Sequence, residues 1–270
     1  MSDQRKHPEL PFFQEKFEHL LGFPPMPWQE ALFLRFMEDK LPSGCDIPTG
    51  LGKTAVMAIW LIARAAGARL PRRLVYVVDR RAVVDQATEV AEQLRRQVDC
   101  DPSLPAALGL VEGLPISTLR GQHVDNREWL EDPTSPAIIV GTVDMVGSRL
   151  LFEGYGVSRK MRPYHAGLLG ADSLVLLDEA HLVPPFERLL AAIDQGQATF
   201  CARDQDKRTL VPKFNLLTLS ATGRGSTEKC HGLTERDLQH DEVKKRLAAR
   251  GFSPCEQQTR LGASAACRMT

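Results

Sequence analysis

The stretch Leu74-Val75-Tyr76-Val77-Val78 leaves this chain few options. A strand with one wet face alternates polar and apolar residues, whereas an unbroken apolar, valine-rich run has no side to give to water. Such a run is covered on both faces. Similar runs follow at Ala137-Ile138-Ile139-Val140, Leu174-Val175-Leu176-Leu177 and Phe214-Asn215-Leu216-Leu217-Thr218-Leu219, the last clear strand in this reading, with a shorter one at Ile116-Ser117-Thr118-Leu119. Between them lie segments of helical period. Ala82 to Gln97 sets Val83, Val84, Ala87, Val90, Ala91 and Leu94 on one side, and further helices run through Val146, Leu150 and Leu151 and, after Pro184-Pro185, through Leu189, Leu190 and Ile193. Strands alternating with helices predict an α/β fold, a mostly parallel sheet with helices on both faces. In such sheets ligands gather at the carboxyl ends of the strands.

The rest of the chain is less regular. Phe12, Phe13, Phe17, Leu20 and Leu21 recur at helical spacing until Pro24-Pro25-Met26-Pro27 stops them, and Trp28-Gln29 opens a second helix through Ala31, Leu32, Phe33 and Phe36. A further helix, starting near Lys53 and running to Ala66, is too apolar for exposure on any face and must be sandwiched against a sheet. The Pro- and Gly-punctuated region Asp99 to Gly113 and the glycine- and arginine-containing region Gly154 to Gly170 read as loops. Leu233 to Ala249 reads as one helix of mixed charge, and Gly251 to Thr270 has no apolar periodicity. Lysine plus arginine balance aspartate plus glutamate at 34 each, so any nucleic-acid surface is a local patch rather than a global field. The six cysteines contain no Cys-x-x-Cys pair and read as reduced thiols, Cys230-His231 has no second ligand pair nearby, and the start of the chain lacks the apolar core of a signal peptide. No apolar run approaches the roughly 18 residues of a membrane span. A cytoplasmic protein is expected.

Polar clusters stand at the predicted strand ends. Pro48-Thr49-Gly50-Leu51-Gly52-Lys53-Thr54 reads as a phosphate-binding loop: two glycines let successive backbone N–H groups face one anion, and the following helix adds its positive end. Lys53 then reaches the β- and γ-phosphates and the Thr54 hydroxyl ligates Mg2+. The general pattern has a glycine where this chain has Ile47. Asp178-Glu179-Ala180-His181 closes the Leu174 run, which suits Asp178 to the metal and Glu179 to activation of water. Ser220-Ala221-Thr222 closes the last strand. Gln29 has an amide able to read an adenine edge with one donor and one acceptor, though on spacing alone it reads first as an ordinary surface glutamine. Arg80, and more so Arg159, Lys160 and Arg162, have a plain solvated reading as well.

Taken together and in this order, Pro-Thr-Gly-Leu-Gly-Lys-Thr, Asp-Glu-Ala-His and Ser-Ala-Thr resemble the first motor lobe of superfamily 2 helicases of the DEAH type. The flanking Val78-Asp79-Arg80-Arg81, Gly141-Thr142-Val143-Asp144-Met145 and Ser148-Arg149-Leu150-Leu151 look like the CRISPR-associated helicase–nuclease of type I systems, over about Trp28 to Thr222. The resemblance implies a RecA-like P-loop NTPase lobe using ATP and Mg2+. It places Thr49, Gly50, Leu51, Gly52 and Lys53 on the triphosphate, Thr54 and Asp178 on the metal, Glu179 on the attacking water and Gln29 on the adenine. His181, Ser220 and Thr222 would couple nucleotide state to the strand-binding face. Arg80, Gly141 and Thr142 would touch the backbone of single-stranded DNA without reading bases. It also implies a CRISPR surveillance complex as a partner, and no membrane.

The expected organisation is an N-terminal helical segment at 1–27, a first lobe at 28–232, and a linker helix with an irregular tail at 233–270. Forty-eight residues follow Thr222, too few for a second lobe, so a separate chain supplying that lobe is an expected partner, and the tail after Gly251 reads as a shifted or premature ending. No clustered His and Asp of a nuclease is present, and His240-Asp241 reads as a solvated dipeptide. Three functional readings stay open: an ATP-binding lobe of a DNA helicase that needs its second lobe, a fragment that binds without driving anything, and a lobe of a DEAH-type motor from restriction or repair.

Overall fold

The computed structural model describes residues 7–120, 123–124, 127–200, 212–220 and 230–250. In chain order the elements are α1 (Leu10–Leu21), α2 (Pro27–Met37), β1 (Gly44–Asp46), a 3-10 turn (Lys53–Ala55), α3 (Val56–Ala65), β2 (Arg73–Val78), α4 (Arg81–Cys100), α5 (Leu104–Leu108), β3 (Ile116–Arg120), β4 (His123–Val124), α6 (Glu128–Glu131), β5 (Ala137–Thr142), α7 (Val143–Leu150), α8 (Arg162–Gly170), β6 (Ser173–Asp178), α9 (Pro184–Phe200), β7 (Phe214–Ser220), β8 (Cys230–Gly232), α10 (Glu235–Gln239) and α11 (Asp241–Ala248). They form two compact units, one of Arg69–Thr218 and one of Met1–Ala68 with Leu219–Thr270.

The unit Arg69–Thr218 holds the five strands that the apolar runs foretold and one more, β4, in the order β4-β3-β5-β2-β6-β7. β2 pairs in parallel with β5 on one side and β6 on the other, with Val78 opposite Thr142 and Val77 opposite Leu177. β3 runs parallel to β5, and the short β4 is antiparallel at the edge. Every residue of β2 and β5 is buried, and alternation shares them between two covers. Val75, Val77, Ile139, Val175 and Leu177 join Met145, Val146, Leu169, Phe186 and Leu190 of α7, α8 and α9 in one core. The other face takes α4 through Val84, Ala87, Ala91 and Leu94, and the Thr88 and Thr118 hydroxyls meet there at 3.1 Å. At the amino ends of the strands the buried Arg73 guanidinium donates to the carbonyls of Leu168, Pro133 and Ala171 at 2.8–3.0 Å, satisfying a charge that could not otherwise be kept inside.

The other unit is built on α3, whose residues Val56 to Ala63 are fully buried, as so apolar a helix requires. Phe13 of α1 stacks on Phe33 of α2 with ring centroids 4.3 Å apart, and both helices pack on α3. β1 pairs in parallel with β8, and beyond it the Ile47 N–H donates to the Ser220 carbonyl at the end of β7.

Several expectations are corrected. The region read as a loop from Asp99 contains the last two residues of α4 and all of α5. Asp101 Oδ1 accepts from the N–H groups of Ser103 and Leu104, and Pro105 sits in the first turn, where a missing N–H costs nothing. The region Gly154 to Gly170, read as a loop for its glycines and arginines, contains α8, with Pro163 in the first turn. The 233–249 helix is two, broken where His240 turns extended (φ −73°, ψ 127°), so His240-Asp241 stands at a helix break rather than within one. The segment at Lys53 starts as a 3-10 turn before α3 becomes α-helical. β7 is followed by another strand, β8. Three-residue strands such as β1 and β8 are too short to show a period of two.

Candidate functional site

The phosphate loop leaves β1 and turns on two left-handed glycines, Gly50 (φ 94°) and Gly52 (φ 76°), conformations that side chains rarely adopt. Leu51 between them is fully buried and anchors the loop, while Thr49 and Gly50 are exposed. Lys53 is buried and Thr54 half-buried. Gln29 is also fully buried. Its Oε1 accepts from the Met26 N–H at 2.8 Å and caps the start of α2, and its Nε2 has no hydrogen-bond partner among the described residues. That orphaned donor lies 3.4 Å from where a Cβ on Gly52 would stand. A buried unmade donor is costly unless a ligand completes it, so the loop and this amide fit a nucleotide. Ser220, through its carbonyl on the Ile47 N–H, is tied to the same loop; Thr222 lies outside the described residues.

The unit Arg69–Thr218 carries the acidic doublet. Register sets the ends of β2, β5 and β6 level, so Arg80, Thr142 and Asp178 share the carboxyl edge of that sheet. Asp178 is fixed on both oxygens: Oδ2 accepts from the Tyr76 hydroxyl at 2.7 Å, and Oδ1 from the Glu179 N–H at 2.9 Å. Glu179 is left-handed (φ 47°, ψ 46°), a conformation uncommon for a side-chain-bearing residue and shared here with Asp39, Phe152 and Asp172. His181 Nδ1 stands 3.3 Å from Glu179 Oε2.

The nucleic-acid candidates differ in access. Arg80 is exposed. Thr142 is buried and its hydroxyl accepts from the Met145 N–H, capping α7. Gly141 is buried, and a Cβ there would stand 3.0 Å from Val146 Cγ2 and 3.1 Å from Leu119 Cβ, so its glycine serves close packing of β5 under α7. Tyr76 was not singled out by its sequence. It sits in an apolar run like any core aromatic, and its partner is 102 residues away.

Half-buried and buried titratable groups lie around both units. Burial pushes the His165 imidazole down to about 4, helped by the nearby Arg149 and Arg127 guanidiniums. Burial also lowers His231, whose Nε2 meets the Trp28 carbonyl at 2.9 Å, and raises the Cys230 thiol to about 11. Among the described residues Cys45, Cys100 and Cys230 are free thiols, as expected; Cys201, Cys255 and Cys267 lie outside them. No helix among the described residues is long and apolar enough to cross a membrane.

Among solved structures, the Mycobacterium smegmatis helicase Lhr bound to ssDNA and AMP-PNP is similar at 19% identity with a TM-score of 0.50, over 78% of this chain and 24% of that one. The Pyrococcus furiosus Hef helicase domain aligns at 17% identity and TM-score 0.45, over 82% of this chain and 40% of that one. The yeast DEAD-box splicing factor Prp28 aligns at 16% and 0.49, over 90% of this chain and 47% of that one. The chain thus spans less than half the length of these proteins. Among curated proteins none matches it. The fold is a RecA-like helicase lobe of superfamily 2. The DEAD/DEAH box helicase family matches residues 26–229, from the start of α2 past the phosphate loop and the acidic doublet, and the chain belongs to that family.

Proposed function

We propose that this chain is the ATP-binding lobe of an ATP-dependent DNA helicase or translocase, completed by a second motor lobe. The observation that carries the reading is the phosphate loop, with Gly50 and Gly52 left-handed on either side of a buried Leu51 and an orphaned Gln29 donor beside Gly52. Lys53 and the N–H groups of Gly50, Leu51 and Gly52 hold the triphosphate, with Thr49 flanking it. Thr54 and Asp178 hold Mg2+, which neutralises charge on the phosphate oxygens when bound. Glu179 orients the water or takes its proton. The Tyr76 hydroxyl and Glu179 N–H keep the Asp178 carboxylate aimed by occupying one lone pair on each oxygen. His181, Ser220 and Thr222 relay the nucleotide state to the strand-binding face. Arg80, with the backbone at Gly141 and Thr142, meets a single strand through its phosphates, so no base preference is expected.

The lobe is proposed to occupy 28–232, with 1–27 and 233–270 as flanking segments. The finer reading assigns the lobe to CRISPR type I interference beside a surveillance complex; it is supported by the flanking sequences around Arg80, Thr142 and Arg149. The test is direct. The purified chain should bind a fluorescent ATP analogue in Mg2+ and turn ATP over slowly with little stimulation by single-stranded DNA. Lys53→Ala should abolish binding, and Glu179→Gln should keep binding and remove turnover. Unchanged binding by Lys53→Ala would overturn the phosphate-loop assignment, and brisk DNA-stimulated hydrolysis by the wild-type chain would overturn the need for a second lobe.

A further inference from the structure

Past the helices that follow β8, the chain returns to the phosphate loop. α11 is seated by Val243 and Leu247, both buried, and by Arg246, which pairs with Glu242 at 2.7 Å and lies over the Phe23 ring. Two residues beyond its end the Arg250 N–H donates to the Leu247 carbonyl, holding the turn. The Arg250 guanidinium then lies against Gly50: a Cβ built there would stand 2.7 Å from Nε and 3.1 Å from Cζ. Both residues are exposed, and among the described residues the guanidinium has no carboxylate partner. A planar cation without a carboxylate partner among the described residues therefore lies against the exposed glycine of a loop whose backbone is shaped for an anion.

We propose that Arg250 is a second phosphate ligand of this site, acting in cis from the segment after α11. It rests on the reading of Pro48 to Thr54 as a phosphate loop. A guanidinium is a bidentate donor to phosphate oxygens, and with Lys53 it brings two cations to the loop. The ligand class is a nucleoside triphosphate. Arg250, lying on the outer side of Gly50, meets the phosphate oxygens that the loop N–H groups leave open. The φ of 94° already favours glycine at Gly50, and a side chain there would push the flexible Arg250 guanidinium aside.

The test is a titration of the full 270-residue chain with ATP, ADP and AMP in Mg2+, for the wild type, Arg250→Ala, Arg250→Lys and Lys53→Ala. Arg250→Ala should weaken ATP about tenfold, or about 1.4 kcal/mol. The loss should shrink with ADP and vanish with AMP. Arg250→Lys should recover part of it. The thermal midpoint of the unliganded variants should not move, because the side chain is exposed. Unchanged or tighter ATP binding by Arg250→Ala, with Lys53→Ala still abolishing binding, would overturn this proposal and leave the phosphate loop standing; tighter binding would mark Arg250 as a plug. An equal loss for ATP and AMP would also overturn it. Normal binding by Lys53→Ala would sink the underlying reading instead.

Discussion

Glu179 offers a test in which the sign alone decides. Its backbone is left-handed, fixed by its own N–H on Asp178 Oδ1 and by its carbonyl, which accepts from the Leu182 N–H, both at 2.9 Å. A side chain in this region costs about 1–2 kcal/mol. Comparing Glu179→Ala with Glu179→Gly removes the carboxylate and its contact with His181 in both cases, so only the backbone differs. Alanine keeps the strain. Glycine sheds it, but gives back about 0.4–1 kcal/mol through its freer unfolded chain. The glycine variant should therefore be more stable than the alanine variant by about 0.5–1 kcal/mol. For a domain of this size that is about 1–4 °C in thermal midpoint. Urea and thermal unfolding followed by far-UV circular dichroism measure it. In ordinary backbone the order is reversed, so an alanine variant as stable as the glycine one would refute the strained geometry. Under the proposed function neither variant should turn ATP over, and the wild type holds a strained residue where glycine would be more stable.

Two further expectations follow from neighbouring groups. An unfolded histidine takes its proton near pH 6.5, whereas His165, buried edge-on to Trp129 at 5.1 Å with Arg149 nearby, resists until about 4; the folded state's advantage is fully present above about pH 6.5 and is lost as the pH falls toward about 4, by about 2–3 kcal/mol. His165→Phe should flatten urea-derived stability over that window, and a profile as steep as the wild type's would refute this. Tyr76→Phe deletes the hydrogen bond to Asp178 Oδ2; it should destabilise the fold by about 1–2 kcal/mol and raise the Mg2+ concentration needed for half-maximal ATP binding, whereas an unchanged Mg2+ requirement would show that Tyr76 does not position a metal ligand.

What could be read from the sequence follows from how far each signal reaches along the chain. The burial of Val75 and Val77 is announced by the residues beside them in one unbroken apolar run, so β2, β5 and β6 and the helices between them were legible, as was the burial of α3. Pro105 misled because a proline breaks a helix interior but suits a first turn, and only the cap around it tells the two apart; the glycines around α8 misled in the same way. The site was legible as motifs and not as geometry. Nothing near Tyr76 announces that its hydroxyl will hold Asp178, 102 residues on, and nothing near Arg250 announces Gly50. Both contacts are created by topology, and a single sequence carries no record of them.

Gln29 shows how the same topology can narrow a role that a motif leaves broad. Reading adenine with one donor and one acceptor needs both ends of the amide. Here the amide is already placed: one lone pair of Oε1 holds the Met26 N–H at 2.8 Å, and releasing it would strand that buried donor at about 1–3 kcal/mol. The second lone pair of Oε1 and the Nε2 donor beside Gly52 stay open among the described residues. The cap therefore fixes the plane and direction of the amide before any base arrives. A base that meets it as adenine would give its N6–H to Oε1 and take Nε2–H on N7, whereas guanine would set its O6 acceptor against Oε1. An amide held in this way separates the two purines without giving up the Met26 cap.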